Sequence, residues 1–355
     1  MNLDELGWNH FFQQQLLPEE PFTPARVYRQ DKNQYHLFSE QGKLSGVVPG
    51  RLRKEAFSKA DLPCVGDWVL VSEIEGAETG TVLIERLLER KSKFSRKEAG
   101  DVVDEQIIAA NIDTAFIVSG LDDNFNPHRI ERYLLLSWNS GAIPVIILNK
   151  ADLCDDIDKK VSKIQSIAAG TPIHVVSATA DQGLEALREY MTKGSTCVFL
   201  GSSGVGKSTI INTLLGFDKF ETKSVREEDS MGRHTTTFRE LVQTPDQGLI
   251  IDTPGMRELQ IWADSSAISK SFDDVETLAS LCKFSDCQHK TEPNCAITKA
   301  LATGELTQDR LNSYYKLLRE VEHLNSQQNA AARAEKKQGR KKFARLIRNR
   351  PDKRE

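Results

Sequence analysis

The feature that most constrains the fold is a phosphate-binding loop in the middle of the chain. It lies between an apolar, strand-like run, Thr196–Leu200, and a helical run, Ile210–Leu215. Its glycines let backbone N–H groups turn toward phosphate oxygens at a helix N-terminus. In this context the pattern G-x-x-x-x-G-K-[ST] predicts a nucleoside triphosphate site in an α/β domain. The loop consists of Gly201, Ser202, Ser203, Gly204, Val205, Gly206, Lys207, Ser208 and Thr209.

Two segments predict the groups that hold the phosphates and Mg²⁺. Within the loop, Lys207 is expected to reach the β- and γ-phosphates, and Ser208 to ligate Mg²⁺. The second segment, Asp252-Thr253-Pro254-Gly255, follows the strand-like run Leu249–Ile251 and fits D-x-x-G. Here Asp252 would hold Mg²⁺ through water, and the Gly255 N–H would sense the γ-phosphate.

A threonine-rich segment, Gly232–Thr237, lies where a nucleotide-sensing switch belongs. Thr235 is the favoured magnesium ligand in the triphosphate state, with Thr236 as the alternative. The residue after Gly255 is Met256, which cannot orient water as the glutamine of Ras-like proteins does. Slow intrinsic hydrolysis is therefore expected. His234 is the nearest polar candidate for a catalytic role. The alternative interpretation is that His234 is an ordinary solvent-facing histidine of a loop.

A base-reading box precedes the phosphate loop. Asn149, Lys150, Ala151 and Asp152 follow the apolar run Ile143–Leu148 and fit N-K-x-D. A carboxylate at the last position accepts two hydrogen bonds from guanine, a donor pair that adenine lacks, so the box selects GTP over ATP. The Lys150 stem would stack on the base. A short second element, Ser177-Ala178, would offer a backbone N–H to guanine O6.

The order of these motifs indicates a circular permutation. In an ordinary GTPase the phosphate loop comes first, whereas here the base box and Ser177-Ala178 precede it and both switch segments follow it. A domain tolerates this rearrangement because its termini are usually close together. The second switch is thereby joined through a short segment to the C-terminal region. Nucleotide state could therefore move that region directly.

Flanking regions complete an α/β architecture. We predict an N-terminal segment (1–23), an OB-fold-like β-barrel (24–95), a permuted P-loop GTPase domain with a parallel sheet covered by helices on both faces (96–262), a helical zinc-binding domain (263–332) and a basic tail (333–355). An SH3-like barrel would give a similar pattern of five short strands. The stretch Glu89–Glu98 is expected to be a charged link.

Four residues of metal-binding types cluster near the C-terminus. Cys282, Cys287, His289 and Cys295 lie within 14 residues. Three thiolates and one imidazole suit tetrahedral Zn²⁺, and a site with no open position is structural. We expect one zinc ion per chain. The alternative is a set of unconnected thiols.

Charge is unevenly distributed along the chain. Residues 333–355 contain eleven Lys/Arg against three Asp/Glu, although the whole chain carries a net charge of −4. A basic tail on an acidic body suggests contact with a polyanion, and a solvated, disordered tail is the alternative. No membrane-spanning run and no signal peptide is recognised, so a cytoplasmic protein without a membrane partner is expected.

The whole pattern resembles the circularly permuted small-ribosomal-subunit biogenesis GTPases of bacteria, over roughly residues 24–330. Matching stretches include Gly66–Val69, Gln106–Asn111 and Gly232–Thr237. The resemblance implies a monomeric GTPase that the small ribosomal subunit stimulates, that binds rRNA near the decoding region through its barrel, and that leaves after hydrolysis. It also carries the nucleotide contacts and zinc ligands onto the residues named above.

One departure concerns the N-terminus. Residues 1–25 contain no Lys or Arg and four acids, whereas many relatives begin with a basic arm. The tail after Arg333 is the alternative source of phosphate contacts. Three other functions compete: an ATPase or kinase, a non-enzymatic RNA-binding module, and a GTPase acting on a different RNA or ribonucleoprotein. Asp152 opposes the first, and intact Lys207, Ser208 and Asp252 oppose the second.

Overall fold

The computed structural model describes residues 1–32, 34–74, 76, 80–97, 105–219, 239–252, 265–290 and 292–327. The predicted switch residues His234, Thr235, Thr236 and Gly255 lie outside these ranges, as does the basic tail. The strands are β1 Thr23–Gln30, β2 Tyr35–Ser39, β3 Gly42–Val47, β4 Trp68–Glu73, β5 Thr81–Leu87, β6 Lys93–Lys97, β7 Glu105–Ala110, β8 Thr114–Gly120, β9 Ile143–Asn149, β10 Ile173–Val175, β11 Thr196–Leu200, β12 Glu240–Gln243 and β13 Leu249–Asp252.

Ten α-helices are present in the described residues. Their bounds are α1 His10–Gln13, α2 Gly50–Glu55, α3 Pro127–Ser140, α4 Ile157–Gln165, α5 Glu185–Arg188, α6 Lys207–Leu215, α7 Ser265–Ser271, α8 Asp273–Ser280, α9 Ala296–Thr303 and α10 over residues 308–327. Within the described ranges, no helix is long and apolar enough to cross a membrane.

The first five strands close into a barrel. Hydrogen bonding follows the order β1-β2-β3-β5-β4, and β4 returns to pair with β1. The alternating apolar residues of these strands point inward, where Val27, Leu37, Val69 and Ile84 are buried together. The OB-like barrel predicted from the sequence is therefore confirmed.

The nucleotide domain is built on a sheet with the order β10-β9-β8-β11-β13-β12. All of its strand pairs are parallel except the antiparallel pair β12–β13. All seven residues of β8 are buried, as expected for a strand covered on both faces. Consequently the carboxyl ends of β8, β9 and β11 lie side by side, and the loops that follow them meet.

Two strand regions differ from the sequence-based expectation. Lys93–Lys97, assigned to a charged link, forms β6 and pairs with β7. The charges are accommodated because Phe94 is buried while Lys93 is exposed. The predicted domain boundary at 95/96 falls inside this strand. The partner strand β7 was not predicted either. A third unpredicted strand, β12, pairs with β13 and, through Arg29 and Glu240, with β1 of the barrel. The two sheets are thus continuous.

The N-terminal segment covers the junction between barrel and nucleotide domain. Its helical pattern produces a 3₁₀ turn, Leu3–Leu6, and the four-residue α1. Leu6 and Phe12 are buried, and the Trp8 ring packs edge-on against Trp68 at 4.8 Å between centroids. Beneath this layer the buried Arg26 donates hydrogen bonds to backbone carbonyl groups, including those of Gly66 and Asn111.

Helices follow the nucleotide domain, as predicted. In the described residues after 264 there is no strand, and α10 lies within the region predicted to be helical, 263–332. An ion pair joins this region to the nucleotide domain: Arg310 of α10 lies 2.8 Å from Glu131 of α3, and both side chains are at least 94% buried. Asp274 of α8 is a second partner of Arg310, at 2.8 Å. The α3 helix is therefore fixed to the C-terminal helices.

Candidate functional site

The phosphate loop connects β11 to α6, as the motif predicted. Gly206 caps the helix with φ +96°, and a Cβ there would lie 2.2 Å from the Asn149 amide nitrogen. A Cβ at Gly201 would lie 2.4 Å from the Val118 carbonyl oxygen. Glycine is required at both positions by close approach and by backbone conformation, since φ is +149° at Gly201 and +96° at Gly206.

The Lys207 ammonium lies over the loop. Its Nζ donates to the carbonyl oxygens of Gly201 and Ser202, at 2.8 and 2.7 Å. Ser208 is the next residue of α6, in the first turn of that helix. The cation, the helix N-terminus and the glycine-lined backbone therefore lie together, an arrangement that favours a polyanionic phosphate chain.

Asn149 joins three predicted elements. Its Nδ2 donates to the Val205 carbonyl oxygen at 2.9 Å, and its Oδ1 accepts from the Ala178 N–H at 3.0 Å. The side chain is 2% exposed. The sequence placed Asn149 in the base box only. This link from the base box to the phosphate loop was missed, because nothing in the local pattern indicates a partner 56 residues away.

The rest of the base box is held by neighbouring loops. Lys150 adopts φ +66°, and its Nζ lies 2.7 Å from Asp122 Oδ2. Burial opposes ionisation of Asp122, but the Lys150 ammonium outweighs it and lowers the pKa of that carboxyl. The Ser177 hydroxyl donates to Asp152 Oδ1. The two predicted base elements are thus in direct contact.

Two residues at this site were absent from the sequence-based set. Asp122 follows β8. Its position just after the carboxyl end of a buried strand is the sequence feature that could have identified it as a site residue. Arg129 lies in the first turn of α3 and donates to Ser202 Oγ at 2.8 Å. Arg129 thus holds the phosphate loop in place from a neighbouring helix, and no sequence motif predicts this contact.

Asp252 ends β13, whose Cα register pairs it with Glu240 of β12. Since β13 lies beside β11, Asp252 is at the same edge of the sheet as the phosphate loop. The other predicted switch residues cannot be placed, because they lie outside the described ranges. Of the D-x-x-G motif, Asp252 is thus the residue that the described ranges include.

The Cys/His cluster forms a compact set of four ligand atoms, all within 4.8 Å of one another. Cys282 Sγ lies 3.9 Å from Cys295 Sγ, and both lie 3.5 Å from His289 Nδ1. A tetrahedral centre with Zn–S bonds of about 2.3 Å has S···S edges of roughly 3.8 Å. The donor set and spacing therefore fit one metal ion, with Cys287 as the fourth ligand.

Cys295 also caps α9, because its Sγ accepts from the Thr298 N–H at 3.5 Å. Burial alone would raise the pKa of the Cys295 thiol, but the hydrogen bonds from Thr298 and His289 bring it down to about 6. The Cys295 thiolate, the form that binds a metal, is accordingly favoured at neutral pH, whereas burial and the neighbouring thiols raise the pKa of Cys287 to about 11.

Comparison with known proteins agrees with this geometry. The profile of the RsgA GTPase family matches residues 87–262. The small ribosomal subunit biogenesis GTPase RsgA 1 of Oceanobacillus iheyensis is 42% identical over 346 residues, which cover 97% of this chain and 98% of that protein. The chain belongs to the RsgA GTPase family. It is therefore a GTPase, and magnesium with GTP is its expected cofactor set.

Other relatives extend the similarity across the whole chain. The RsgA 2 protein of Vibrio vulnificus is 43% identical, covering 98% of this chain and 94% of that protein. The crystal structure of YjeQ from Thermotoga maritima matches with a TM-score of 0.64 and 27% identity, covering 84% of this chain and 98% of that one. YloQ, described as a circularly permuted GTPase, has the same fold. Its crystal structure matches with a TM-score of 0.61 and 23% identity, covering 87% of this chain and 98% of that one. The predicted permuted architecture is confirmed.

Proposed function

We propose that this GTPase is a maturation factor for the small ribosomal subunit. In this proposal the subunit stimulates hydrolysis and hydrolysis releases the protein, which acts as a monomer in the cytoplasm. Relatives that match over nearly their full length are small ribosomal subunit biogenesis GTPases, which supports this function. The observation that carries the nucleotide chemistry is the contact of Asn149 with both the phosphate loop and Ala178.

The guanine site comprises Asn149–Asp152 and Ser177–Ala178. Asp152 accepts from guanine N1–H and the exocyclic amine, and the Lys150 stem covers the base. A backbone N–H of Ser177-Ala178 meets O6; the Ala178 N–H, which donates to Asn149 Oδ1 in the structure, is then shared between the two acceptors. Gly201–Thr209 surrounds the phosphates.

Competition for a bound fluorescent guanine nucleotide tests guanine selection. Asp152→Asn should weaken competition by GTP, whereas ATP should compete poorly with both the wild type and the variant. Equal competition by ATP and GTP would contradict guanine selection.

The hydrolytic groups are assigned by motif. Lys207 neutralises charge that develops on the transferring phosphoryl group, Ser208 and Thr235 (or Thr236) ligate Mg²⁺, and Asp252 holds it through water. Gly255 senses the γ-phosphate, and His234 orients the attacking water. Met256 supplies no such polar group, so turnover without a partner is slow. A variant His234→Ala with unchanged partner-stimulated turnover would refute the role of His234.

The metal of the C-terminal cluster is zinc in this proposal, held by Cys282, Cys287, His289 and Cys295. Zinc supplies no chemistry to hydrolysis here, since four protein ligands leave no open position. It holds the polar loop between α8 and α9 in one shape. The neighbouring α10 then has a fixed surface against which to pack.

The deciding experiment measures GTP hydrolysis by the full chain alone, with small ribosomal subunits and with large ones. Stimulation by small subunits only is expected. Stimulation by neither would leave the GTPase without this partner and would favour a different RNA or ribonucleoprotein. Deletion of residues 333–355 should weaken subunit binding and flatten its salt dependence, if the basic tail contacts rRNA phosphates.

A further inference from the structure

A fully exposed phenylalanine projects from the barrel. Phe57 has a relative exposure of 101%, the highest value among the large hydrophobic residues of the described chain. It lies between α2 and a 3₁₀ turn, Lys59–Asp61, in the connection from β3 to β4. An apolar ring of this size gains nothing for folding when water surrounds it completely. The ring is therefore free to contact a partner molecule.

The backbone beneath the ring is ordered. Asp61 Oδ2 accepts from the N–H groups of Phe57 and Ser58, both at 2.9 Å, and Ser58 Oγ accepts from the Ala60 N–H at 3.1 Å. This capping box fixes the turn that carries the ring. Arg90 then holds the carbonyl groups of Ala60 and Leu62, at 2.6 and 2.9 Å.

The same connection is anchored to the protein interior. The side chains of Leu52 and Leu62, on either side of the turn, pack against the barrel core, and Ala60 packs against Ile107 and its neighbours. Arg90 is itself fixed by the buried Asp67 at 2.8 Å. The exposure of Phe57 is therefore a built feature of a rigid turn, which presents the ring at little entropic cost on binding.

Basic residues outnumber acidic ones in the segment that carries the ring. Within eight residues of Phe57, four basic side chains and two acidic side chains, Glu55 and Asp61, are exposed. One carboxylate oxygen of Asp61 is occupied by the backbone N–H groups of Phe57 and Ser58, and Arg51 has a distant ion pair with Glu85 at 3.7 Å. A basic cluster on a chain with a net charge of −4 favours a polyanionic partner. We define the Phe57 surface as Arg51, Arg53, Lys54, Phe57 and Lys59.

We propose that the Phe57 surface binds single-stranded RNA, with the phenyl ring stacked on an unpaired base and the cations on neighbouring phosphates. Aromatic rings in a positive setting are the usual platform for unpaired bases, and stacking tolerates any base because each has a π-face. The inference rests on the proposed ribosomal function and deepens it, since it names the surface of the barrel that meets rRNA.

The first test compares substitutions at Phe57 in the full chain, with purified small ribosomal subunits and a non-hydrolysable GTP analogue. Phe57→Ala should weaken binding about tenfold, and Phe57→Tyr should leave it unchanged, because stacking needs a ring. Leu17→Ala, which alters another exposed apolar side chain, is the control and should bind as wild type does. Basal GTP hydrolysis should be the same in all variants, since Phe57 has no part in the core.

Three results would overturn the proposal. Binding by Phe57→Ala that equals wild type leaves the ring without a role. If Phe57→Leu binds small subunits as tightly as the wild type, the side chain contacts an apolar pocket of a ribosomal protein and not an unpaired base. If the wild-type protein neither binds small subunits nor is stimulated by them, the proposed function is contradicted as well. If the wild-type protein is stimulated normally and substitution of Phe57 does not change binding, only the proposed role of the Phe57 surface is contradicted.

The second test addresses the phosphates. Arg53→Gln/Lys54→Gln should lower the salt dependence of subunit binding, with the slope of log K against log salt reduced by roughly one to two. The matched control is Lys159→Gln/Lys163→Gln, which removes two exposed charges from α4. An equal loss of slope in both double variants would indicate general electrostatic attraction and contradict a local phosphate contact.

Discussion

At the scale of single residues, the nucleotide site depends on contacts that the motifs do not contain. The N-K-x-D and G-x-x-x-x-G-K-[ST] patterns identify the segments because each chemistry requires those residue types at those spacings. They do not reveal that Asn149 fills the space opened by Gly206, or that Arg129 supports Ser202. Such contacts depend on distances between elements far apart in sequence, which local pattern cannot supply.

A glycine substitution tests the Asn149 contact. Gly206→Ala places a Cβ 2.2 Å from the Asn149 amide and should abolish measurable binding of a fluorescent GTP analogue, because the phosphate loop and base box are forced apart. Gly170→Ala is the matched control, since Gly170 also has positive φ, +75°, but nothing within 4 Å of the added methyl. It should cost about 1 kcal/mol of stability and bind nucleotide normally. Equal binding by the two variants would contradict this account.

At the scale of elements, the apolar strands were predicted well and the charged or short ones poorly. β8, β9 and β11 are buried on both faces and read as continuous apolar runs. β6 was assigned to a link because its composition is charged, and β12 has only four residues. Both depend on a partner strand for their conformation, so tertiary context decides them.

The attachment of α3 to the C-terminal helices yields a second prediction. Glu131→Gln should lower the free energy of unfolding by about 3 kcal/mol, because it leaves the buried Arg310 with Asp274 as its remaining ionised partner. Arg132→Gln breaks the half-exposed pair with Glu320 and should cost less than about 1 kcal/mol. Urea unfolding, with hydrogen exchange of the α3 amides, measures both. Similar losses in the two variants would argue against a special role for the buried pair.

Zinc gives a third prediction, for the segment between α8 and α9. The purified chain should contain one zinc ion by elemental analysis, and Cys282→Ser should lose it and increase proteolytic cleavage near residues 282–295. The half-buried Cys154 lies outside the cluster, so Cys154→Ser should retain the metal. Normal zinc content in Cys282→Ser would contradict the ligand set.

At the scale of the whole molecule, the permuted order places the C-terminal helices directly after the second switch. α7 begins at Ser265, thirteen residues after Asp252, and packs against α3, which in turn contacts the phosphate loop through Arg129. The motif order alone indicated the first connection. The second became visible only in the fold, because it depends on how α3 packs.

A fourth prediction concerns movement of these helices. Hydrogen exchange across residues 263–300 should differ between the GTP-analogue and GDP states of the full chain, because both connections lead to the nucleotide. The barrel core around Val27 and Leu37 is the internal reference and should exchange equally in both states. Identical exchange across 263–300 in the two states would show that the C-terminal region does not respond to nucleotide.

The continuity of the two sheets has a consequence for solubility. An open sheet ends in strands whose unpaired backbone groups can recruit another chain and start aggregation. In the described part of this molecule, β12 is covered by β1, and the barrel closes on itself. The opposite edge is β10, which has three residues. The barrel thus protects an edge of its neighbour, and a nucleotide domain produced without it would expose β12 to self-association.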